Sequence, residues 1–289
     1  MDGIFIIDKP KGVTSRDVVN NISNKFNIKK VGHTGTLDPI ATGVLVVCLG
    51  SATKIVSELT SLNKEYIASV TLGLLTDTLD ITGNVIKDVD VYKTKEEIKK
   101  ALKSFELSYN QEVPIYSAVK INGKKLYEYA REGKMIDLPK RIVTINSIEL
   151  DGDVIYENNK TKFTFKCNVS KGTYIRSLIN DIAKKLNTVG IMTDLRRTSQ
   201  GKFDIKDSKS LEKLNNDDLI NITDVLDYKK IEIDDILKKK IKNGAIIDNK
   251  YDCDTVLFTY NGEGIAIYKK YLKDETKLKP YKMLKGGIL

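Results

Sequence analysis

Apolar residues along this chain recur mostly in steps of two, the mark of half-buried strands. From Lys64 to Leu72, Tyr66, Ala68, Val70 and Leu72 fall on one side, and Phe163, Phe165, Cys167 and Val169 repeat the pattern against Thr164, Lys166 and Asn168. Two further strands are predicted at Gly3–Ile7 and at the unbroken apolar run Val44–Leu49. Helical spacing is rarer. Val18, Val19, Ile22 and Phe26 form one stripe behind a cap at Thr14 or Ser15, Thr94 caps an amphipathic segment reaching Phe105, and Lys124–Arg131 reads as another short helix. The strongest stripe is Ile175, Leu178, Ile179, Ile182, Ala183 and Leu186, spaced as one face of a helix. Ser51 is expected to cap a short helix, and residues 31–43 to form a Gly/Thr/Pro-rich loop. Strands and helices intermingle without the strand–helix–strand lengths a parallel sheet needs. The pattern predicts an α+β fold with a mixed, largely antiparallel sheet flanked by helices.

That pattern resets near Leu226–Lys230. An acidic, Asn-rich stretch at 215–227 gives way to a predicted helix across Ile231–Ile241, a turn at Asn243-Gly244, and strands at Thr255–Thr259 and Gly264–Tyr268 joined by a hairpin signal at Asn261–Gly264. Two units are expected: residues 1–227, and a compact α/β appendage at 228–289 close to the lower size limit for independent folding.

Composition narrows the chemistry more than the fold. The longest apolar run has six residues against the ~20 of a membrane helix, and no positive run precedes the short apolar start. A soluble, unexported, cytoplasmic protein is expected. The three cysteines, Cys48, Cys167 and Cys253, are too scattered for a disulfide framework, and a single histidine, His33, nearly excludes a His/Cys metal centre. Neither a G-x-x-x-x-G-K-[ST] nor a G-x-G-x-x-G motif occurs, so no nucleotide cofactor is called for. Reactive groups must come from carboxylates, tyrosines or lysines.

The net charge is +9, of which residues 229–289 hold +5. A lysine-rich composition accounts for this as readily as a polyanion partner whose phosphates release counterions. Arginine is used sparingly: there are six, and Arg176, Arg196 and Arg197 fall within 22 residues. Guanidinium is what a bidentate grip on carboxylate or phosphate requires.

Two segments concentrate candidate chemistry. Gly32–Gly43 carries three glycines and places Asp38 before Pro39, five residues after the lone His33 and just ahead of an apolar strand. Such an aspartate is often only a turn residue accepting backbone hydrogen bonds; the neighbouring histidine shifts the balance towards function. The second segment, Val169–Ser177, puts Arg176 in the first turn of a helix, where the macrodipole opposes a cation by about 0.3–1 kcal/mol. An anion should sit beside it: Asp38, an RNA phosphate, or a surface carboxylate. Tyr66 and Tyr174 each open an element, and read either as rim packing or as stacking surfaces for a splayed base. Lys9 and Lys11 flank Pro10 in the first turn, a solvated face by default.

Taken together these residues are specific. Gly32–Gly43 resembles the catalytic motif of the bacterial tRNA pseudouridine-55 synthases, the TruB family, and Asp8–Ser15 resembles the family's N-terminal motif. Lys64-Glu65-Tyr66 with Thr76-Asp77-Thr78, Tyr116–Lys120, Gly123–Arg131, Ser170–Arg176 and Leu195-Arg196-Arg197 complete the resemblance in family order over about residues 3–205. It implies the pseudouridine synthase fold and isomerisation of one uridine, position 55 in the T-arm loop of tRNA, without cofactor or metal. Asp38 matches the nucleophile, Arg176 its partner, and Tyr66 a stacking residue that can assist a proton transfer. His33, Tyr66, Tyr174 and Leu195 match positions meeting the flipped uridine, and Lys9 of the N-terminal motif is counted with them. Addition at the sugar C1′, passage through a glycal and addition at the base C6 all fit such a carboxylate. The 228–289 unit resembles the family's PUA-type RNA-binding domain only loosely. A monomer with no obligate protein partner and no membrane association is expected. Two alternatives stand beside this: a non-catalytic or dual-role tRNA-binding and folding protein, and a guide-RNA-dependent synthase of the same superfamily.

Overall fold

The computed structural model describes residues 1–285, so the last four residues of the expected 228–289 unit lie outside the described residues. Seven strands form the path of the main sheet, in the order Gly3–Lys9, Thr42–Leu49, Gly190–Gln200, Lys64–Leu72, Lys160–Val169, Lys140–Glu157, Ser108–Glu112. Val31–His33 and Phe203–Asp204 attach at its side. Neighbours are antiparallel except Thr42–Leu49 against Gly190–Gln200, which run parallel. The α+β architecture with a mixed, largely antiparallel sheet is what the apolar spacing predicted.

Local chemistry starts the helices. Ser15–Lys25 opens on a capping box in which Thr14 accepts from the Asp17 N–H and the Asp17 carboxylate accepts from the Thr14 N–H; Thr94 and Glu97 do the same for Lys95–Lys103. Each such cap is worth about 1 kcal/mol. The helix Ile175–Lys185 buries its predicted stripe in the core that also receives Tyr66, Phe163, Phe165, Cys167 and Val169.

Three expectations need correction. Residues 50–60 form a 3-10 turn, Gly50–Ile55, running into the helix Val56–Thr60, and Ser51 caps neither. Its N–H instead donates to Asp2 Oδ1 at 2.5 Å. Within the 31–43 loop, Val31–His33 is a short strand paired with Val47–Leu49. The helix expected from Ile231 starts only at Asp235, capped by Asp234; Lys229–Glu232 is a strand parallel to Val256–Thr259. Ile231 and Ile233 are two apart, a strand spacing that merges with the helical one further along.

A second sheet runs Lys229–Glu232, Thr255–Tyr260, Glu263–Tyr271, Asp274–Met283, Ile247–Asp248. The unbroken run Val44–Leu49 is apolar throughout because both its faces are covered. Leu45 and Val47 join the helix-side core with Phe5 and Ile7, whereas Val44 and Val46 join Ile4 and Ile6 against Leu257, Ile267 and Leu284. A polar clasp borders that contact, with Tyr281 Oη and Lys282 Nζ donating to Glu58 at 2.7 and 2.6 Å. Among the described residues no helix is long and apolar enough to cross a membrane.

Candidate active site

A cavity of about 410 Å³ opens where the Asp38 loop, the start of the Tyr66 strand and the start of the Arg176 helix meet. Asp38, Tyr66, Tyr174, Arg176 and Leu195 all line it. The loop is held along its length: Ser15 Oγ accepts from the Leu37 N–H at 2.9 Å, and Pro39 O accepts from the Gly12 N–H at 2.8 Å. At its exit Gly43 has φ of +99°, and a Cβ there would lie 2.1 Å from the carbonyl oxygen of Arg197. Only glycine permits that approach.

The anion expected beside Arg176 is Asp38. Arg176 Nε lies 2.9 Å from Asp38 Oδ2, and Nη2 donates to Oδ1 at 3.3 Å. Its remaining donors reach Thr78 O and Tyr116 O, each at 3.0 Å. The arginine side chain is 6% exposed and the aspartate 34%, so the carboxylate is gripped from behind with its free side towards the cavity. Sequence reasoning missed Asp80, a buried carboxylate 4.0 Å from the same Nε. Thr78 Oγ1, Thr82 N and Thr82 Oγ1 donate to Asp80 at 2.8, 2.9 and 2.5 Å. The one signal for it was an acid flanked by threonines two residues away on either side, a turn that fixes an acid in place.

A second arginine faces the same cavity in another setting. Arg197 is 1% exposed, with Nε donating to Tyr66 Oη at 3.2 Å, Nη1 to Gly35 O and Val44 O, and Nη2 to Thr36 O. Its guanidinium lies 5.4 Å from the Tyr66 ring centroid. Among the described residues no carboxylate pairs with it. Arg196, next in the chain, points away and holds Asp8 through two bonds of 3.1 and 2.8 Å.

The other predicted residues divide. Tyr174 is fixed by its N–H, which donates to Gln111 Oε1 at 2.8 Å. Leu195 pairs with Ala68 across the sheet and is nearly buried. His33 lies beside the loop but outside the cavity lining. Its Nδ1 accepts from the Gly35 N–H at 3.3 Å, and burial, helped by Arg16 and Arg197, pushes its pKa below the usual histidine value. The neutral ring with a proton on Nε2 is the form that fits. Lys9, counted among substrate contacts, is instead fully buried beneath the loop, with Nζ donating to Val13 O, Pro10 O and Pro39 O at 2.7, 2.9 and 3.4 Å. A turn lysine reads as solvated; this one turns inward because the backbone carbonyls of its own turn and of the Asp38 loop need donors. The site therefore offers a firmly placed, half-open carboxylate, two tyrosines, and room for a nucleoside-sized group.

Two family models match the chain. The family described as TruB family pseudouridylate synthase (N terminal domain) matches residues 23–175, and tRNA pseudouridylate synthase B C-terminal domain matches residues 176–238. A relative from Mesoplasma florum named tRNA pseudouridine synthase B is 44% identical over 262 residues, spanning 86% of this chain and 90% of its own. One of the same name from Bacillus cytotoxicus is 40% identical over 299 residues, spanning 98% and 97%. Among solved structures, an H/ACA RNP bound to a substrate RNA containing 2'-deoxyuridine matches with a TM-score of 0.69 at 24% identity, covering 98% of this chain and 84% of that one, a likeness of fold.

Proposed function

The chain belongs to the TruB family of pseudouridylate synthases and is a tRNA pseudouridine synthase, an isomerase; from that premise we propose that its target is uridine 55 of the T-arm loop and that Asp38 is the nucleophile. The observation that carries this reading is the Asp38 carboxylate, a third exposed in the cavity while the arginine gripping it is buried.

The isomerisation breaks the C1′–N1 bond and forms a C1′–C5 bond at the same sugar. C5 gives up a proton and N1 gains one, so no atom is added or lost overall. A carboxylate that adds covalently and leaves again divides this into two easier steps. The uridine must first leave the stack, at a cost of a few kcal/mol. Tyr66 and Tyr174 flank the base, Leu195 closes the pocket, and His33 at the loop's edge fills the vacated place. Tyr66, its hydroxyl fixed by Arg197, moves the C5 proton. Residues 1–227 act as the catalytic unit and 228–289, with +5 of the net charge, as a PUA-like grip on tRNA. The reading includes a monomer without an obligate protein partner, working in the cytoplasm where its substrate is.

The test is to incubate the protein with unmodified tRNA transcript and with an isolated T-arm hairpin, then map pseudouridine by position. A single new pseudouridine at the T-arm position in both substrates supports the reading. Conversion elsewhere, none at all, or conversion only with an added guide RNA overturns it.

A further inference from the structure

One more buried cation, Lys64, lines the cavity. Lys64 opens the strand that carries Tyr66; its side chain lies on the same side as that tyrosine and the residue is 6% exposed. Nζ donates to Thr60 O at 2.9 Å and to Leu62 O at 2.7 Å, at the end of the helix Val56–Thr60. An ammonium has three donors, so one is uncommitted. Thr60 and Lys64 line the cavity with Asp38 and Arg197. Lys64 and Arg197 converge at Gly35, where an added Cβ would lie 3.5 Å from Lys64 Cε and 3.8 Å from Arg197 Nη1.

What faces Lys64 electrically is positive: Arg197 first, then Lys171. Its neighbour Glu65 points to the other side of the strand, where Thr198 Oγ1 donates to it at 2.7 Å and Lys166 pairs with it at 3.2 Å. Burying an ammonium among cations is costly. Capping a five-residue helix gains too little to explain it, since a solvated lysine would cap as well. A ligand that brings its own negative charge does explain it.

We propose that Lys64 forms an anion subsite of the active site, its free N–H taking a non-bridging oxygen of a phosphodiester that flanks the flipped uridine. This rests on the reading that a uridine of RNA enters the cavity. Burial lowers the Lys64 pKa to about 8, which leaves most of its charge in place near neutral pH.

The experiment pairs Lys64→Met with a chemically edited substrate. Wild type and variant are titrated with tRNA transcript, and with transcripts carrying one neutral methylphosphonate on either side of the target uridine. The variant should bind unmodified transcript roughly tenfold more weakly, with a salt slope lower by about one. A methylphosphonate at one of the two linkages should cost wild type a similar factor and cost the variant nothing. Turnover at saturating RNA should be largely kept, and the melting temperature should fall modestly, because Thr60 O and Leu62 O lose their donor while the burial cost of the charge goes with it.

Unchanged affinity and salt slope would overturn the proposal, as would a methylphosphonate penalty equal in both proteins at both linkages. Lost turnover at saturating RNA with intact affinity would make Lys64 a proton-transfer group instead. A lower melting temperature with intact affinity would reduce it to a helix cap. Wild-type conversion of the unedited transcript is scored separately. If it fails, the functional reading fails, while the binding arms still measure the anion subsite.

Discussion

Arg176 and Arg197 face one cavity, both almost fully buried, and differ in what meets them. Arg176 lies between two carboxylates, Asp38 at 2.9 Å and Asp80 at 4.0 Å. Arg197 meets only backbone carbonyls and the Tyr66 hydroxyl, with Lys9 and Lys64 close enough to feel its charge. One side of the cavity therefore carries its charge balanced within the protein, and the other leaves an excess of cations. Balanced charge can aim a reactive carboxylate, because the guanidinium fork fixes its orientation. Unbalanced charge suits a substrate that arrives as a polyanion. The same residue type does two jobs, decided by whether a carboxylate reaches it.

The largest effect should come from the balanced side. Asp38→Asn keeps size and shape, and Arg176 keeps its bonds to Thr78 O and Tyr116 O. The amide is no nucleophile, so turnover should fall by more than roughly a thousandfold. Melting temperature and tRNA affinity should stay close to wild type. Measurable turnover above host contamination would remove Asp38 from the chemistry.

Lysine at either arginine separates the two settings. Arg176→Lys keeps the charge and loses the fork; we expect turnover to drop roughly a hundredfold with a modest loss of stability. In Arg197→Lys the order should invert. One ammonium cannot replace bonds to Gly35, Thr36, Val44 and Tyr66 at once, so the cost is about 2–4 kcal/mol in unfolding free energy, with a smaller change in turnover per folded molecule. Urea melts and single-turnover rates on both variants decide it. If both lose turnover and stability in the same proportion, the distinction between the two sides collapses.

How much of this could be read beforehand follows from where each signal lives. Tyr66 and Arg176 were legible because they sit on a cleanly alternating strand and a clean helical stripe, and the cation in the helix's first turn called for an anion that proved to be Asp38. The long strand Lys140–Glu157 was not, because polar residues occupy both faces for much of its length and its register shifts twice against its neighbour. Asp80 lies in a short hairpin without periodicity. Arg197 and Lys9 bond to backbone carbonyls, which no side-chain pattern announces. The unbroken apolar run announced the strand Val44–Leu49, but not that both its faces are covered, one of them by Leu257, Ile267 and Leu284.

Lys9 gives the smallest effect and the most selective one, since it titrates beneath the loop between Asp38 and Arg197. Burial lowers its pKa from 10.5 to about 8, with Asp38 pulling upward and Arg197 reinforcing the fall. Below about pH 8 folded and unfolded chains both hold the proton, and the burial cost is constant. Between about 8 and 10.5 the unfolded chain keeps a proton that the folded chain has shed, so this group's contribution to stability rises with pH. Lys9→Met removes the titration together with the bonds to Val13 O and Pro10 O, so the variant should be weaker throughout. The gap in unfolding free energy between wild type and variant should then widen from pH ~7.5 to ~9.5, by no more than about 2 kcal/mol. Urea titrations at a series of pH values measure it. The neutral amine keeps two N–H groups for Val13 O and Pro10 O and gives up only the 3.4 Å bond to Pro39 O, an acceptor the Gly12 N–H still holds, so the Asp38 loop should stay in place as the charge goes. A constant gap would mean that Lys9 keeps its proton in the folded protein at pH ~9.5, and that water or Asp38 stabilises this ammonium more than its burial implies.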